Sequence, residues 1–395
     1  MRKDFLPYYR PAIERVDIEA VAHSLESGWL TTGPKVRELE ESFSKGSDVR
    51  HAVALNSGTA ALHLALISLG VGRGDEVITP SLSFVAGTHC VRQLGAVPVF
   101  ADVGKETLCL TPATIDAVVT PRTKAIITMN YGGQPVGIEA IVEYARQRHI
   151  AVLEDAAHAV GTLDSGLWPG ARSDAAAFSL YATKNITAGE GGLLLTNRDD
   201  IAERVRRLSL HGMSRDAWKR YENGGTWLYD VAEVGYKCNM PDMAAALAIS
   251  QLKKLEPLQA KREALAQAYI EKLSIVPGVR MVTSVASYPS RNSWCLFVIS
   301  IDQNTTQISR DELIEELARA NIGTSVHFIP THTFSAYKHV EHGPLPVTDR
   351  VWRTLISLPL YPSMSEQDVA DVVEALSGII EQAQKRPSPR RSVNA

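Results

Sequence analysis

The chain has 395 residues, a formal net charge of -3 at pH 7, 45% hydrophobic and 22% charged residues. That length holds two domains and a large core, and so balanced a charge gives no electrostatic footing for nucleic acid or a membrane surface. Cys90, Cys109, Cys238 and Cys295 form no C-x-x-C pair, so no disulfide framework or zinc site is expected, nor any other metal centre. The amino terminus lacks an apolar core of signal-peptide length and no apolar run matches a membrane span, so a cytoplasmic protein is expected.

Apolar residues at helical spacing cover 16–27 and 35–43, separated by the loop G-W-L-T-T-G-P, which leaves Trp29 exposed. Strands then alternate with helices: strands at 51–55, 76–79, 97–101, 124–129 and 151–154, helices at 59–69, 84–93, 112–118 and 138–148. Strands at 174–178 and 192–196 and a helix at 199–210 complete the series. This alternation predicts an α/β fold whose mostly parallel sheet is covered on both faces. Residues 211–235 read as a long ordered loop, with Trp218, Tyr221, Trp227 and Tyr229 marking a contact surface. A helical pattern from Pro241 toward Leu273 is expected to kink or split at Pro257. Strands at 294–301 and 324–328 and helices at 310–320 and 366–382 predict a smaller α+β region. The expected domains are 1–255, 256–383 and a disordered polar tail at 384–395.

The chemistry-bearing stretch is F-S-L-Y-A-T-K-N-I-T-A-G-E-G-G, from Phe178 to Gly192. An apolar strand ends in a loop carrying Lys184, and glycines return the chain to a second strand, clearing space around the amine. The strand before it delivers Asp155 within E-D-A-A-H-A; Glu154 and Asp155 face opposite sides of that strand. A lysine and a buried acid presented in this way suit pyridoxal phosphate, with lysine as Schiff-base partner and acid on the ring nitrogen. His158 is close enough to orient Asp155 or to bond the cofactor's phenolic oxygen. Asn56-Ser57-Gly58-Thr59 stands where a strand turns into a helix, which suits a phosphate and equally suits a plain helix cap. Ser179 could donate to the same phosphate. Phe84 could lie on the pyridine ring, or be an ordinary core aromatic at a helix start.

N-S-G-T-A-A-L-H-L-A-L, G-D-E-V-I-T-P-S-L-S-F-V-A, E-D-A-A-H-A-V-G, the lysine stretch and G-Y-K-C-N-M-P-D-M-A-A-A-L-A together resemble the DegT/StrS family of sugar aminotransferases, over roughly residues 6–376. The resemblance implies fold type I and pyridoxal 5'-phosphate. It implies Lys184 as the Schiff-base lysine, Asp155 on the pyridine nitrogen, His158 beside the cofactor oxygen and Phe84 stacked on the ring. Gly58, Thr59 and Ser179 would hold the phosphate, Asn239 would reach the phosphate of the other subunit of a homodimer, and His327 and Trp29 would lie on the substrate side. The implied reaction moves an amino group from L-glutamate, leaving 2-oxoglutarate, to C4 of a nucleotide-linked 4-keto sugar. A 3-keto acceptor and a non-catalytic sugar-nucleotide sensor are the alternatives. Val136-Gly137 stands where relatives usually have a small residue followed by Asp, and Phe84 stands where one branch of the family would carry tryptophan.

Overall fold

The computed structural model describes residues 2–213, 229–283, 286–287 and 289–386. In chain order the first part comprises α1 (Arg15–Glu26), α2 (Pro34–Ser47), β1 (His51–Leu55), α3 (Gly58–Ser68), β2 (Glu76–Pro80), α4 (Ala86–Gln93) and β3 (Val97–Ala101). There follow α5 (Pro112–Asp116), β4 (Thr123–Met129), α6 (Ile138–Arg146), β5 (Ala151–Asp155), β6 (Ala175–Ser179), β7 (Gly192–Thr196) and α7 (Asp199–Leu208). The remainder is α8 (Asp242–Lys253), α9 (Leu255–Leu273), β8 (Val279–Met281), β9 (Phe297–Ile301), α10 (Gln303–Thr306), α11 (Arg310–Arg319), α12 (Pro346–Val351), β10 (Leu355–Leu358) and α13 (Glu366–Lys385).

Seven strands form one sheet in the order β1-β7-β6-β5-β4-β2-β3. Only β7 runs antiparallel to its neighbours, β1 and β6. The expected mostly parallel α/β sheet is therefore present. Its strands are apolar on both faces because both are covered. Leu194 packs with Leu62, Val91 and Val205 on one side, whereas Leu193 and Leu195 pack with Leu39, Phe178 and Ile249 on the other. A second, antiparallel sheet, β10-β9-β8, shares its core with α9, α11 and α13.

Several elements differ from the sequence reading. The helical run beyond Pro241 divides at Lys254, three residues before the expected proline. Pro257 thus lies in the first turn of α9, where its missing N–H is not needed. Residues 324–328 make no strand: Ser325 forms a single bridge with Ser357. β8 and β10, at three and four residues, are too short to show a period. Helix α13 reaches Lys385, two residues into the expected tail, and 387–395 lie outside the described residues. Trp218, Tyr221 and Trp227 lie outside them as well; Tyr229 is exposed. At Val136-Gly137 the N-terminus of α6 is capped from elsewhere: Asp164 accepts from the N–H groups of Val136, Gly137 and Ile138 at 3.0, 2.8 and 3.0 Å.

Glu154, on the opposite face of β5 from Asp155, is buried and accepts from Gly170 N–H at 2.9 Å and Ser173 Oγ at 2.7 Å. Burial pushes its carboxyl up to about 7, against the pull of those two donors. Folding therefore favours the protonated acid, and this group's contribution to stability falls as pH rises from about 4.5 to about 7. Glu154→Gln is expected to flatten urea-measured stability across that window; an unchanged pH slope would contradict the burial argument.

Candidate active site

The parallel strands end along one edge, and the candidate residues collect there. Asp155 is the last residue of β5 and is 3% exposed. Its Oδ1 accepts from the Ala157 N–H at 3.1 Å. Burial raises its carboxyl, and the Ala157 N–H and the Lys184 charge work against that rise. Lys184 lies in the loop between β6 and β7, and its charge also reaches His158, His327 and Cys295. The structure thus brings lysine, acid and both histidines into one electrostatic neighbourhood.

His158 is buried, and its Nδ1 accepts from the Gly132 N–H at 3.3 Å, which leaves the ring proton to Nε2. Burial, reinforced by Lys184 and His327, holds it well below the usual histidine range. It therefore acts as a neutral donor. His327 is likewise neutral, lowered to about 3 by burial and by Lys184. Its Nδ1 bonds Ser357 Oγ at 2.8 Å, and Tyr131 donates to its carbonyl. Phe328 lies parallel to His158, with centroids 5.8 Å apart at 13°, and 6.1 Å from Phe84. Phe84 is 57% exposed and sits two residues before α4. It is not a core aromatic but an uncovered ring at the rim of the site.

The phosphate-type cradle forms where β1 enters α3. Ser57 Oγ is spent as the cap, accepting from the Ala60 N–H at 3.1 Å, while Thr59 is exposed. Gly58 presses on the lysine loop: a Cβ there would lie 3.1 Å from Ser179 Cβ. Gly192 does not clear space around the amine, as the sequence reading had it. A Cβ on Gly192 would collide with the Ser57 carbonyl and the Gly58 nitrogen. Its role is to let the first turn of α3 lie against the start of β7. An anion at these N–H groups would be held by the helix end, Thr59 and Ser179, so the residues present fit the phosphate of a pyridoxal phosphate.

Two further predicted residues are joined to each other through Thr32, next to the end of β1. Asn239 bridges Leu55 and donates to Thr32 Oγ1 at 2.6 Å. Trp29 is 43% exposed and donates to the Thr32 carbonyl at 3.1 Å. They meet through Thr32, on a loop fixed by Asp242, which accepts from the N–H groups of Gly33, Lys35 and Val36.

Sequence reasoning missed the strap at 291–295. Ser293 Oγ donates to the His158 carbonyl at 2.7 Å, and Asn185 Nδ2, adjoining Lys184, donates to the Ser293 carbonyl at 2.7 Å. Gly133 is required there, because a Cβ would strike Ser293 Oγ and the His158 carbonyl. Tyr9 was missed too; its hydroxyl donates to the Lys184 carbonyl at 2.7 Å. Neither carries a spacing signal, but Gly132-Gly133 was a visible mark of close approach. Among the described residues no group of three or more His, Cys, Asp or Glu could hold a metal ion, and no helix is long and apolar enough to cross a membrane.

The chain is 45% identical over 386 residues to the spore coat polysaccharide biosynthesis protein SpsC of Bacillus subtilis, covering 97% of this chain and 99% of that one. Among solved structures it resembles the putative sugar aminotransferase Spr1654 of Streptococcus pneumoniae in its PLP form, at 28% identity and TM-score 0.88, covering 96% and 99% of the two chains. It also resembles DesI in the presence of its TDP-sugar product, at 31% identity and TM-score 0.85, covering 98% and 97%. Residues 11–377 match the DegT/DnrJ/EryC1/StrS aminotransferase family model, and the chain belongs to that family.

Proposed function

We propose that this pyridoxal-phosphate-dependent sugar aminotransferase moves an amino group from L-glutamate to the C4 keto group of a nucleotide-linked 4-keto sugar, in the cytoplasm. The observation that carries the reading is the charge of Lys184 acting on buried Asp155, with the start of the lysine loop at Ser179 lying against the N-terminus of α3. Bound pyridoxal phosphate supplies an electron sink and carries the nitrogen between the two half-reactions.

The chain's own groups do the rest. Gly58, Thr59 and Ser179 hold the phosphate. Asp155 holds the proton on the ring nitrogen, and Phe84 covers a ring face. His158, neutral and with its proton on Nε2, donates toward the phenolic oxygen. Lys184 Nζ moves a proton between the α-carbon of the amino donor and the exocyclic carbon of the cofactor. General acid–base work of this kind contributes roughly 10²–10⁴-fold in rate. His327 and Trp29 lie on the sugar side, and the chain divides into a large cofactor-binding domain (1–255) and a small C-terminal one (256–383).

The working unit in this reading is a homodimer in which Asn239 reaches the phosphate of the other subunit's cofactor. Exposed Trp29, Leu30, Val231, Val234 and Tyr236, close in sequence to Asn239 or its partner Thr32, support such a covered face. The TDP-sugar in the DesI structure supports a nucleotide-linked acceptor.

Lys184→Ala is expected to abolish the visible absorption band of the lysine–cofactor linkage and to lower turnover by roughly 10²–10⁴-fold; normal turnover would refute the assignment. Incubating the protein with glutamate and a panel of UDP- and dTDP-linked keto sugars, and solving the products by NMR, tests the acceptor. Nitrogen at C3 would replace the C4 reading, and a band unmoved by glutamate would favour a sensor over an enzyme. Gly192→Ala should drive the α3 end away from Ser179, costing about 1–3 kcal/mol of stability. The same variant should weaken binding of both the cofactor and inorganic phosphate in titration; unchanged phosphate affinity would mean that the cradle lies elsewhere.

A further inference from the structure

We propose that Tyr9, oriented by Arg262, is a positioning residue for Lys184, fixing the peptide unit from which the reactive amine hangs. The inference rests on Lys184 being the cofactor-binding lysine.

The Lys184 peptide is held from two sides. Its N–H donates to the Tyr181 carbonyl at 2.9 Å, a contact within the loop. Its carbonyl accepts from Tyr9 Oη at 2.7 Å, across 175 residues of sequence. Arg262, on α9, donates from Nη2 to the same Tyr9 oxygen at 3.4 Å. The direction of this chain is forced: a guanidinium only donates and a carbonyl only accepts, so the hydroxyl must take from Arg262 and give to Lys184. Burial raises Tyr9 above the usual phenol value while Arg262 opposes the rise, so the oxygen keeps its proton through the neutral range.

Arg262 is otherwise hard to account for. It is 2% exposed, makes no ion pair among the described residues, and its Nη1 is buried without a partner. A buried guanidinium lacking a carboxylate is expensive, and its charge falls on Tyr9 and on Cys295, which Lys184 also faces. A cation donating to a hydroxyl strengthens that hydroxyl as a donor.

Tyr9 is in turn anchored outside the large sheet. Leu6 pairs with the chain after α11, donating to the Asn321 carbonyl and accepting from Gly323, each at 2.8 Å. The Tyr9 ring lies 6.1 Å from Tyr361 and packs against the core that holds β9 and α13. The hydroxyl therefore references the lysine loop to the C-terminal region. Misplacing a reacting group by about 1 Å can lower a rate on the order of 10²-fold, so one well-aimed hydrogen bond to the lysine backbone is a sufficient lever.

The test uses holoenzyme carrying Tyr9→Phe, Arg262→Met, or both, with Arg262→Lys replacing Arg262→Met if the latter does not fold. Borohydride trapping of the cofactor on Lys184 in the wild type comes first; its failure would sink the lysine assignment rather than this inference. The half-reaction is then followed as loss of the visible band with the amino donor that clears it in the wild type, glutamate first. Tyr9→Phe should trap cofactor to the same extent, bind it within about two-fold of wild type and keep the donor's half-saturation, yet react about ten-fold more slowly, the kinetic worth of one hydrogen bond. Arg262→Met should slow the step in the same sense, and the double variant should be no slower than Tyr9→Phe, because the arginine acts through the tyrosine. A wild-type rate in Tyr9→Phe, a loss explained by cofactor release, or losses that multiply in the double variant would each overturn the proposal.

Discussion

A carboxylate at the end of a buried strand, with one backbone N–H for company, is costly unless a cation faces it or it takes up a proton. Asp155 is that carboxylate, and Lys184 is the cation supplied by the chain itself. The pairing is electrostatically unfinished. Burial still raises the acid, so a stronger or closer positive group is welcome there. A protonated pyridine nitrogen would be such a group, with Asp155 holding its proton and Lys184 supplying the neighbouring amine. The same burial that makes the acid costly alone makes it effective against a ring cation, because a low-dielectric setting enlarges both terms.

The surroundings obey the same economy of polarity. His158 and His327 are kept neutral by burial and by the lysine's charge, so they add donors and acceptors without adding positive charge. The strap around Ser293 ties the His158 carbonyl to Asn185 and hence to the lysine loop. Tyr9 and Arg262 secure that loop from a third direction. Residues from the amino terminus, the large sheet and the C-terminal region thus converge on one amine.

Much of this was legible in the sequence because it depended on local order. Alternating apolar strands and helices marked the sheet, and a strand ending in Asp155 ahead of a glycine-flanked Lys184 marked the centre. What stayed hidden depended on contacts between distant segments. Tyr9 is one tyrosine among twelve, and nothing in its neighbours announces a hydroxyl aimed at a backbone carbonyl 175 residues away. Gly192 was visible but misread: its smallness serves the backbone of Ser57 and Gly58 rather than the amine. Ser325 looked like part of a strand because its neighbours are β-formers, yet one bridge to Ser357 suffices before the chain turns to present His327. The Asp164 cap on α6 shows a departure from the family's wording being made good from another part of the chain.

The reversed direction of β7 has one more effect. Because it runs against β6, with Ser179 opposite Gly192, the loop bearing Lys184 leaves and re-enters the sheet at a single rung. Its two ends cannot drift apart without breaking the ladder, so a lengthened loop would bulge outward and not carry the lysine deeper. The reach of the amine is therefore set by its own four methylenes, much as a boom is limited by its length once the mast is stepped.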